Sequence, residues 1–406
     1  MYIKRELEYT IKRYVSVPEI IAIVGARQVG KTTLLKHIQE NIKNSSFITF
    51  EDIEIRSLFD RDIKSFIELY IKPSNIIFID EFQYARNGGQ ALKFIYDTVK
   101  NKKIFISGSS ILDLTVTTVK YLVGRILSFT LYPLTFEEYL SYKDPTLYQY
   151  YRKHIRRKLD DVLVKELTSL LDEFIIYGGY PRVVIAKNNQ EKQDILKNIF
   201  NIYLLKDAHD MIGLIDDYKM LNLVKALSLQ IGNMISYEEL STISGHKAPA
   251  LKRYLNLLEK THVIHLLKPF FSNKRVELVK NPKVFFFDSG LRNSIINDFK
   301  EMDLRQDKGA LYENFVFTEL VKKGFALKYW RTKAKAEVDF IIEDKIPVEV
   351  KSMLSKPVTG RSLFSFIEKY HPEKAYIFNR NLLKSINVDK TIVHFMYHFY
   401  ASCLKI

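Results

Sequence analysis

Residues 19–42 read EIIAIVGARQVGKTTLLKHIQENI, an apolar run, a glycine-containing loop and an amphipathic helical pattern in direct succession. Gly25 and Gly30 are separated by four residues, and Lys31 and Thr32 follow directly. This is the Walker A pattern, and a strand before it and a helix after it make such a match specific. The stretch therefore predicts a parallel sheet with a phosphate-binding loop at the carboxyl edge of a buried strand.

Each residue type in this loop suits the phosphate chain of a nucleotide. Glycines allow backbone N–H groups to curl around the phosphates at the N-terminus of the helix. We expect the Lys31 amine to reach the β- and γ-phosphate oxygens of ATP and the Thr32 hydroxyl to coordinate Mg²⁺. The residues predicted to contact the nucleotide are Gly25, Ala26, Arg27, Gln28, Val29, Gly30, Lys31, Thr32 and Thr33.

A second apolar run, IIFIDEFQYA at residues 76–85, passes directly into two acidic residues. It reads as a parallel core strand that delivers side chains at its carboxyl end, beside the loop. Asp80 is predicted to hold the Mg²⁺ through water. Glu81 is predicted to polarise the attacking water, which indicates hydrolysis of ATP and not nucleotide binding alone.

Two further polar features follow that strand. KKIFISGSS at residues 102–110 predicts a strand that ends in hydroxyl groups, with Ser109 as a sensor of the γ-phosphate, although a simple turn fits the same residues. Arg125 would neutralise charge in the transition state, either in its own site or in that of a neighbouring subunit. The second arrangement requires assembly of the chain, and a surface ion pair explains Arg125 equally well.

The segment EVDFIIEDKIPVEVK at residues 337–351 reads as a β-hairpin with a three-residue loop centred on Asp344. In this register residue 342 faces 346, residue 340 faces 348, and Asp339 lies across from Glu349. Because side chains alternate along a strand, Lys351 shares the side of the two carboxylates, and the apolar side chains point the other way. Two adjacent anions repel each other, so a partly buried pair requires a cation or a proton.

This arrangement predicts a site for a divalent cation. Mg²⁺ and Mn²⁺ take oxygen ligands and bridge to phosphate, and a nearby lysine can orient or deprotonate a water molecule. Asp339 with Glu349-Val350-Lys351 is similar to the signature of the PD-(D/E)xK nuclease fold, in which an upstream helical glutamate usually completes the site. Glu313, in the helical pattern LYENFVFTELVKKG, is the candidate for that position. A surface hairpin with solvated charges is the alternative interpretation.

Between these motifs the pattern is mainly helical. Residues 141–215 are charged and rich in tyrosine, with a break at Gly178-Gly179, and we interpret them as a helical lid. Residues 216–285 contain a capping box from Ser236 to Glu239, two short helices joined by a tight turn, and the strand-like strings HVIHLL and RVELV. This order predicts a winged helix.

The winged-helix region also concentrates positive charge. Residues 245–283 contain nine Lys or Arg residues and two Glu residues, a net charge of +7. Contacts with DNA phosphates are therefore expected on the second helix and at the tip of the wing. The candidates are Lys247, Lys252, Arg253, Lys274 and Arg275. A spacer that packs against protein is the alternative.

Composition limits the class of protein. The 406 residues suffice for two to four domains with substantial cores. A single cysteine excludes an internal disulfide, and no stretch approaches the roughly 18 apolar residues of a membrane span. The first residues lack an apolar signal core, so we expect a cytoplasmic protein without membrane partners. The formal net charge of +15 favours a polyanionic partner such as DNA.

Several strings, taken in order, resemble those of a widespread archaeal and bacterial family of AAA-like ATPases whose C-terminal domain has long carried no functional label. They include GARQVGKTT, IIFIDEFQ, YGGYPRVV, VFFFDSGLRN, LYENFVFTEL and EVDFII-PVEVK. The resemblance implies an α/β multidomain protein. Its implied parts are a P-loop ATPase core with a parallel sheet at residues 1–140, a helical lid at 141–215, a winged helix at 216–285 and a restriction-endonuclease-like α/β domain at 286–406.

The same resemblance implies roles for individual residues. ATP hydrolysis would depend on Lys31, Thr32, Asp80 and Glu81. The nuclease positions would be Asp339, Glu349 and Lys351, with Glu313 as the helical acid.

Three hypotheses fit these patterns. The first is an ATP-hydrolysing, Mg²⁺-dependent enzyme that cleaves duplex or branched DNA in a DNA-processing, mobile-element or defence role, with Mn²⁺ as an alternative ion at the nuclease site. The second is a nucleotide switch whose C-terminal domain binds nucleic acid or protein without cutting. The third is a homo-oligomeric translocase or junction remodeller that depends on Arg125. Glu349 and Lys351 in the nuclease spacing favour the first hypothesis.

Overall fold

The computed structural model of the protein describes residues 2–108, 121–155, 159–202, 216–271, 277 and 280–406. The chain forms two compact units. The first comprises Met1–Tyr132 and Lys260–His262, and the second comprises Pro133–Glu259 and Val263–Ile406. The finer division into four domains at residues 140, 215 and 285 stays a prediction.

The first unit is built on a five-stranded parallel sheet. Its strands are β1 (Ile20–Val24), β2 (Ser45–Thr49), β3 (Ile76–Asp80), β4 (Lys103–Gly108) and β5 (Ile126–Thr130). They lie in the order β2-β3-β4-β1-β5, and every neighbouring pair is parallel. All five residues of β1 and all six of β4 are buried, which is typical of parallel strands covered on both faces.

Five α-helices lie in the described residues of the same unit. They are α1 (Glu6–Arg13), α2 (Lys31–Glu40), α3 (Ile53–Arg61), α4 (Ile63–Phe66) and α5 (Gly88–Thr98), with a π-helical turn at Ile67–Ile71 and a 3-10 turn at Phe82–Tyr84. A group of buried phenylalanines fills the space between α3, α4 and the sheet. Their ring centroids lie about 5 to 6 Å apart, which is a favourable packing distance for aromatic pairs.

The second unit begins with helices. These are α6 (Phe136–Lys143), α7 (Pro145–Lys153), α8 (Asp161–Tyr177), α9 (Pro181–Val184) and α10 (Asn189–Ile202). The predicted break at Gly178-Gly179 is present, because α8 ends at Tyr177 and Gly178 has a left-handed φ of 77°. A side chain at Gly178 would collide with the carboxylate of Asp288, which accepts the N–H of Gly179.

Between residues 216 and 271, which the structure describes, three further helices precede a small antiparallel sheet. They are α11 (Asp217–Leu229), α12 (Tyr237–Ser244) and α13 (Ala248–Lys260), and they precede β6 (Ile264–Leu267) and β7 (Lys283–Phe286). A bridge from Met234 to Lys283 adds a third short segment to this pair. The described partner of β6 is thus the apolar string at 283–286. The predicted strand RVELV lies outside the described residues except for Glu277.

A six-stranded mixed sheet completes the second unit. After α14 (Ser289–Ile295) and α15 (Lys308–Lys322), the remaining elements are β8 (Leu327–Arg331), β9 (Glu337–Ile342), β10 (Ile346–Val350), α16 (Arg361–Tyr370), β11 (Lys374–Asn379), β12 (Lys384–Val388) and β13 (Thr391–Tyr397), with 3-10 turns at Met302–Leu304 and His398–Cys403. The strand order is β12-β13-β11-β10-β9-β8.

Helices cover both faces of this sheet. Phe317 of α15 packs near Phe340, whereas Leu363 and Phe366 of α16 share an apolar cluster with Ile341. Since neighbouring residues of a strand point to opposite faces, the two helices lie on opposite sides of β9. Among the described helices, none has both the length and the apolar character that crossing a bilayer would require.

Candidate nucleotide site and carboxylate cluster

The predicted phosphate-binding loop connects β1 to α2 in the first unit. Gly25 follows β1 directly, and a Cβ atom at this position would lie 2.1 Å from the carbonyl oxygen of Leu131. Gly30 caps α2 in a left-handed conformation with φ of 95°. Both glycines of the motif are therefore required by backbone geometry, one by close approach and one by its torsion angle.

Lys31 is buried in the first turn of α2. Its Nζ donates hydrogen bonds to the carbonyl oxygens of Gly25, at 3.0 Å, and Ala26, at 2.8 Å. The amine is thus held inside the curve of the loop, where the phosphate oxygens of a nucleotide are expected. Thr32 follows with a half-buried side chain.

The acidic end of β3 lies at the same edge of the sheet as the loop. Asp80 is buried and its Oδ1 accepts a hydrogen bond from the Ser107 hydroxyl of β4. Glu81 has a left-handed φ of 53°, which is uncommon for a residue with a side chain, and its carboxylate accepts a hydrogen bond from Gln83. Strained torsion angles of this kind concentrate at functional sites. The predicted sensor, Ser109, lies outside the described residues.

Arg5 supports the loop in a way that the motif does not reveal. Its guanidinium donates to the carbonyl oxygen of Val29, at 2.8 Å, and to that of Tyr132, at 2.6 Å. The side chain is buried, and the rigid fork of an arginine is well suited to fixing two backbone segments relative to each other. In the sequence, Arg5 is one of several basic residues in an amphipathic start and carries no distinguishing signal.

Arg125 lies at the amino-terminal end of the strands of the parallel sheet, whereas the phosphate-binding loop lies at their carboxyl end. It precedes β5, and its carbonyl oxygen accepts the N–H of Ile20 at the start of β1, at 2.8 Å. The length of a five-residue strand, about 15 Å, separates this end from the loop. The guanidinium pairs instead with Asp97, at 3.0 Å. Arg125 therefore does not reach its own loop, and only its action in a neighbouring subunit stays a prediction.

The hairpin of residues 337–351 forms between β9 and β10 in the predicted register. Both predicted pairs are present, Ile342 with Ile346 and Phe340 with Val348. Asp339 and Glu349 are the next residues along the two strands after the Phe340–Val348 pair. The charged side of the hairpin is covered by α16, so Glu349 is only 2% exposed.

Asp339, Glu349 and Lys351 converge at one end of these strands. Oδ2 of Asp339 accepts the Val350 N–H at 2.7 Å, and Nζ of Lys351 lies 3.2 Å from Oε2 of Glu349. Burial raises the pKa of both carboxyl groups, and Lys351 offsets part of that rise. Burial by itself would lower the pKa of Lys351, but Glu349 and Asp339 raise it above its usual range.

Glu313 is brought to the hairpin by α15, together with a lysine that the sequence analysis missed. Nζ of Lys283, the first residue of β7, lies 3.2 Å from Oε1 of Glu313 and 2.6 Å from Oε1 of Glu337. Burial raises the pKa of Glu313 to about 8, against the opposing effect of Lys283. Burial lowers the pKa of Lys283, but Glu313, Asp339 and Glu337 together raise it above its usual range.

These side chains form what we call the carboxylate cluster. Its members are Glu313, Glu337, Asp339, Glu349, Lys283, Arg331 and Lys351. In the described part of the chain, no three His, Cys, Asp or Glu side chains are grouped so that they could hold a metal ion. Oε2 of Glu349 is buried, and its cationic neighbour is the Lys351 amine at 3.2 Å. Binding of Mg²⁺ or Mn²⁺ by Asp339 and Glu349 stays a prediction.

His398 contacts the backbone of Lys351, the residue directly after β10, and its burial can be tested through the pH dependence of stability. Its ring stacks on Tyr312 and its Nε2 lies 3.1 Å from the Lys351 carbonyl oxygen. Burial lowers the pKa of His398 from 6.5 to about 3. The unfolded chain therefore binds a proton that the folded chain does not, so this histidine lowers the stability of the fold as the pH falls from 6.5 towards 3.

We expect His398→Gln, which keeps an N–H donor, to weaken this pH dependence. The slope of the unfolding free energy between pH 6.5 and 4 should fall by up to about 1.4 kcal/mol per pH unit. Urea unfolding at several pH values measures it, with His154→Gln as a matched control near the surface. If the unfolding free energy of the His398 variant has the same slope against pH as that of the wild type, His398 is not a buried neutral histidine.

The outer face of α13 carries basic residues, as predicted. Lys252 and Arg253 are exposed, and so is Lys247 just before the helix. The opposite face is buried through Leu251, Tyr254, Leu255, Leu257 and Leu258. The other two predicted DNA contacts, Lys274 and Arg275, lie outside the described residues.

Three family models match consecutive parts of the chain. Residues 17–140 match a model described as an AAA domain. Residues 168–302 and 308–395 match two models described as domains of unknown function, DUF8612 and DUF4143. The first match contains the phosphate-binding loop and Asp80, and the third contains Glu313 and the hairpin.

Similar proteins span most of the chain. An uncharacterized protein of Haemophilus influenzae is 27% identical over 342 residues, which cover 79% of this chain and 79% of that protein. The uncharacterized protein MJ1544 of Methanocaldococcus jannaschii is 25% identical over 383 residues, which cover 90% of this chain and 80% of that protein. Among solved structures, the Walker-type ATPase PABY2304 of Pyrococcus abyssi gives a TM-score of 0.49 at 15% identity, over 73% of this chain and 96% of that one.

The AAA match agrees with the parallel sheet, the glycine geometry and the buried lysine of the loop. It implies that this region binds a nucleotide, typically together with Mg²⁺. Residues 17–140 are therefore similar in sequence to AAA domains, and they have the parallel sheet and glycine loop of a P-loop fold.

Proposed function

We propose that this protein hydrolyses ATP, binds DNA and cleaves it at the carboxylate cluster with the help of a divalent cation. The observation that carries the nuclease proposal is the convergence of Asp339, Glu349 and Lys351 on two adjacent strands. Two acids and a lysine in this spacing resemble the site of the PD-(D/E)xK nucleases. A P-loop region in the same chain supports the proposal of ATP hydrolysis.

The order of elements supports finer assignments of the domains. Helices α11 to α13 followed by the antiparallel pair of β6 and β7 have the order of a winged helix. The mixed sheet with α15 and α16 on its two faces is the proposed restriction-endonuclease-like domain. Residues 141–215, with helices α7 to α10, are the proposed lid of the ATPase.

In the proposed ATPase site, the role of each residue is inferred from its place in the loop or at the end of β3. Lys31 would neutralise the β- and γ-phosphates, and Thr32 would coordinate Mg²⁺. Asp80, which the Ser107 hydroxyl orients, would hold that ion through water. Glu81, next to it, would polarise the attacking water.

At the carboxylate cluster, Asp339 and Glu349 would hold the cation through their carboxylate oxygens. Such an ion, when bound, polarises a phosphodiester and favours ionisation of water. Asp339 is kept in place by the Val350 N–H. Because its acidic neighbours raise the pKa of Lys351, this side chain stays protonated. Its proposed role is therefore to stabilise negative charge on the phosphate and not to act as a base.

The basic face of α13 is the proposed contact with DNA phosphates. We expect the double variant Lys252→Glu and Arg253→Glu to weaken DNA binding and to reduce the salt dependence of the affinity. Each lost phosphate contact should lower the slope of log K against log salt by about 0.9. Fluorescence anisotropy of labelled duplex DNA at several KCl concentrations measures both quantities.

The matched control changes two exposed lysines of the helical region, Lys187→Glu and Lys197→Glu. It alters the net charge by the same amount at a surface that is not proposed to touch DNA. A salt slope that is equal in the two double variants would move the DNA contact away from α13.

The proposed activity is tested by incubating the full chain with single-stranded, duplex and branched DNA in Mg²⁺ or Mn²⁺, with and without ATP. We expect metal-dependent cleavage of at least one of these structures. Addition of a chelator should abolish this cleavage. Absence of cleavage from all three DNA structures in both metals would remove the nuclease proposal.

A nucleotide switch that binds DNA without cutting is the second candidate. It is favoured by one observation, the lack of a group of three potential metal ligands among the described residues. This candidate predicts that ATP changes the affinity for DNA while the DNA stays intact.

A further inference from the structure

The two ends of the phosphate-binding loop are both held by the short segment that follows β5. At the first end, Gly25 packs so closely on this segment that a Cβ atom there would lie 2.1 Å from the carbonyl oxygen of Leu131. At the second end, the buried guanidinium of Arg5 donates to the carbonyl oxygens of Val29 and Tyr132. The segment after β5 therefore fixes the distance between the two ends of the loop, and Arg5 makes one of the two attachments.

The loop between these attachments has a conformation that requires support. Gln28 has a left-handed φ of 61°, which is uncommon for a residue with a side chain. Torsion angles of this kind persist where the surrounding structure enforces them. The hydrogen bond from Arg5 is made to Val29, the next residue along the chain, at 2.8 Å. Arg5 is thus placed to prevent the loop from relaxing.

The contact with Val29 also controls a donor of the loop. The carbonyl group of Val29 and the N–H of Gly30 belong to the same peptide unit. No cis peptide bond occurs in the part of the chain that the structure describes, and the C=O and N–H of a trans peptide point in opposite directions. By holding the Val29 carbonyl oxygen, Arg5 therefore fixes the direction of the Gly30 N–H. A phosphate-binding loop requires its N–H groups to face the ligand.

We propose that Arg5 is a positioning residue for the nucleotide, because it holds the Val29–Gly30 peptide so that the Gly30 N–H faces the phosphate chain before ATP binds. The inference rests on the proposed ATPase function and adds to it a residue outside the Walker pattern. A loop that is already ordered loses less conformational entropy when the ligand binds. Once ATP is bound, its phosphates hold the loop themselves, so Arg5 affects binding more than turnover.

Binding of a fluorescent ATP analogue and of ADP to the full chain tests this inference, together with ATP turnover at saturating ATP. Arg5→Met keeps an aliphatic side chain and removes the guanidinium. It should bind both nucleotides at least about tenfold more weakly than the wild type, because two hydrogen bonds from a charged donor are lost. The kcat should fall by no more than about threefold, so that the loss appears in KM.

Arg5→Lys separates the geometry of this contact from its charge. Lysine keeps the positive charge, but its compact amine does not reproduce the planar fork that holds two carbonyl oxygens. The affinity of Arg5→Lys for ATP should therefore stay at least about fivefold below that of the wild type. If Arg5→Lys binds ATP as tightly as the wild type, a positive charge is sufficient and the positioning inference is wrong.

Two control variants lie on α1, directly after Arg5. Arg13→Met removes a positive charge from an exposed position, and Ile11→Val lowers stability at a buried position and leaves Arg5 in place. Both should bind ATP within about twofold of the wild type. An equal loss of affinity in Ile11→Val and Arg5→Met would give Arg5 a merely structural role and overturn the inference. If Arg5→Met does not fold, as circular dichroism would show, Arg5→Lys decides the question against the same controls.

The wild type separates the inference from the function on which it rests. If the wild type binds and hydrolyses ATP and both Arg5 variants match its affinity, the ATPase proposal stands and the positioning inference is wrong. If the wild type binds neither ATP nor ADP, the nucleotide site itself is wrong and the inference is overturned with it.

Discussion

Lys31→Ala is expected to reduce ATP hydrolysis by at least about a hundredfold, which is the usual effect of removing one charge-stabilising donor from a transition state. In the folded protein the Lys31 amine is held inside the loop by the carbonyl oxygens of Gly25 and Ala26. A methyl group at this position leaves the β- and γ-phosphate charges without their principal partner. Release of inorganic phosphate from ATP by the purified full chain measures the effect.

The control for this prediction is Lys36→Ala, an exposed lysine on the same helix. It removes one positive charge from α2 without changing the loop, so turnover should stay within about twofold of the wild type. Circular dichroism verifies that both variants are folded. Phosphate release from Lys31→Ala at the rate of the wild type would show that the Walker assignment is wrong.

Asp339→Asn is expected to abolish DNA cleavage while ATP turnover persists. The loss should be on the order of a hundredfold or more, because several kcal/mol of transition-state stabilisation depend on a correctly held cation. Asparagine is preferable to alanine, since its side-chain oxygen can still accept the Val350 N–H that Asp339 accepts at 2.7 Å. The variant therefore changes the charge and leaves the local hydrogen bond intact.

Glu368→Gln is the matched control for this change. Glu368 is exposed on α16, so the variant removes one negative charge from the same domain outside the cluster. Cleavage of plasmid DNA in Mg²⁺ or Mn²⁺ should then be normal. Equal cleavage by Asp339→Asn and the wild type would remove the nuclease assignment and leave the nucleotide switch as the better account.

Short-range patterns in the sequence were sufficient to predict the phosphate-binding loop and the hairpin. Gly25 to Thr32 is a contiguous motif, and the pairing of Phe340 with Val348 follows from alternation and a short turn. The capping box at α12 was only half right. Ser236 accepts the N–H of Glu239 at 3.3 Å, but the Glu239 carboxylate accepts a hydrogen bond from Gln230, a partner from the preceding helix.

The strand that pairs with β6, Lys283–Phe286, was not predicted from the sequence. The predicted strand RVELV lies outside the described residues except for Glu277. The segment Lys283–Phe286 is buried, and the side chain of Asn314 on α15 forms hydrogen bonds with both the N–H and the carbonyl oxygen of Phe286. Contacts with this distant helix hold the strand in place, and local propensity alone does not reveal them.

Spacing along the chain was enough to establish that a phosphate loop and an acid-rich hairpin exist, because both depend on residues a few positions apart. Folding in three dimensions was needed to bring Lys283 to Glu313 and Glu337, to attach Arg5 to Val29, and to place Arg125 at the far end of the strands of its sheet. These positions depend on how strands and helices pack over separations of tens of residues. Periodicity along the chain carries no information about contacts between residues so far apart. Those contacts decide the charge of the buried carboxylate cluster.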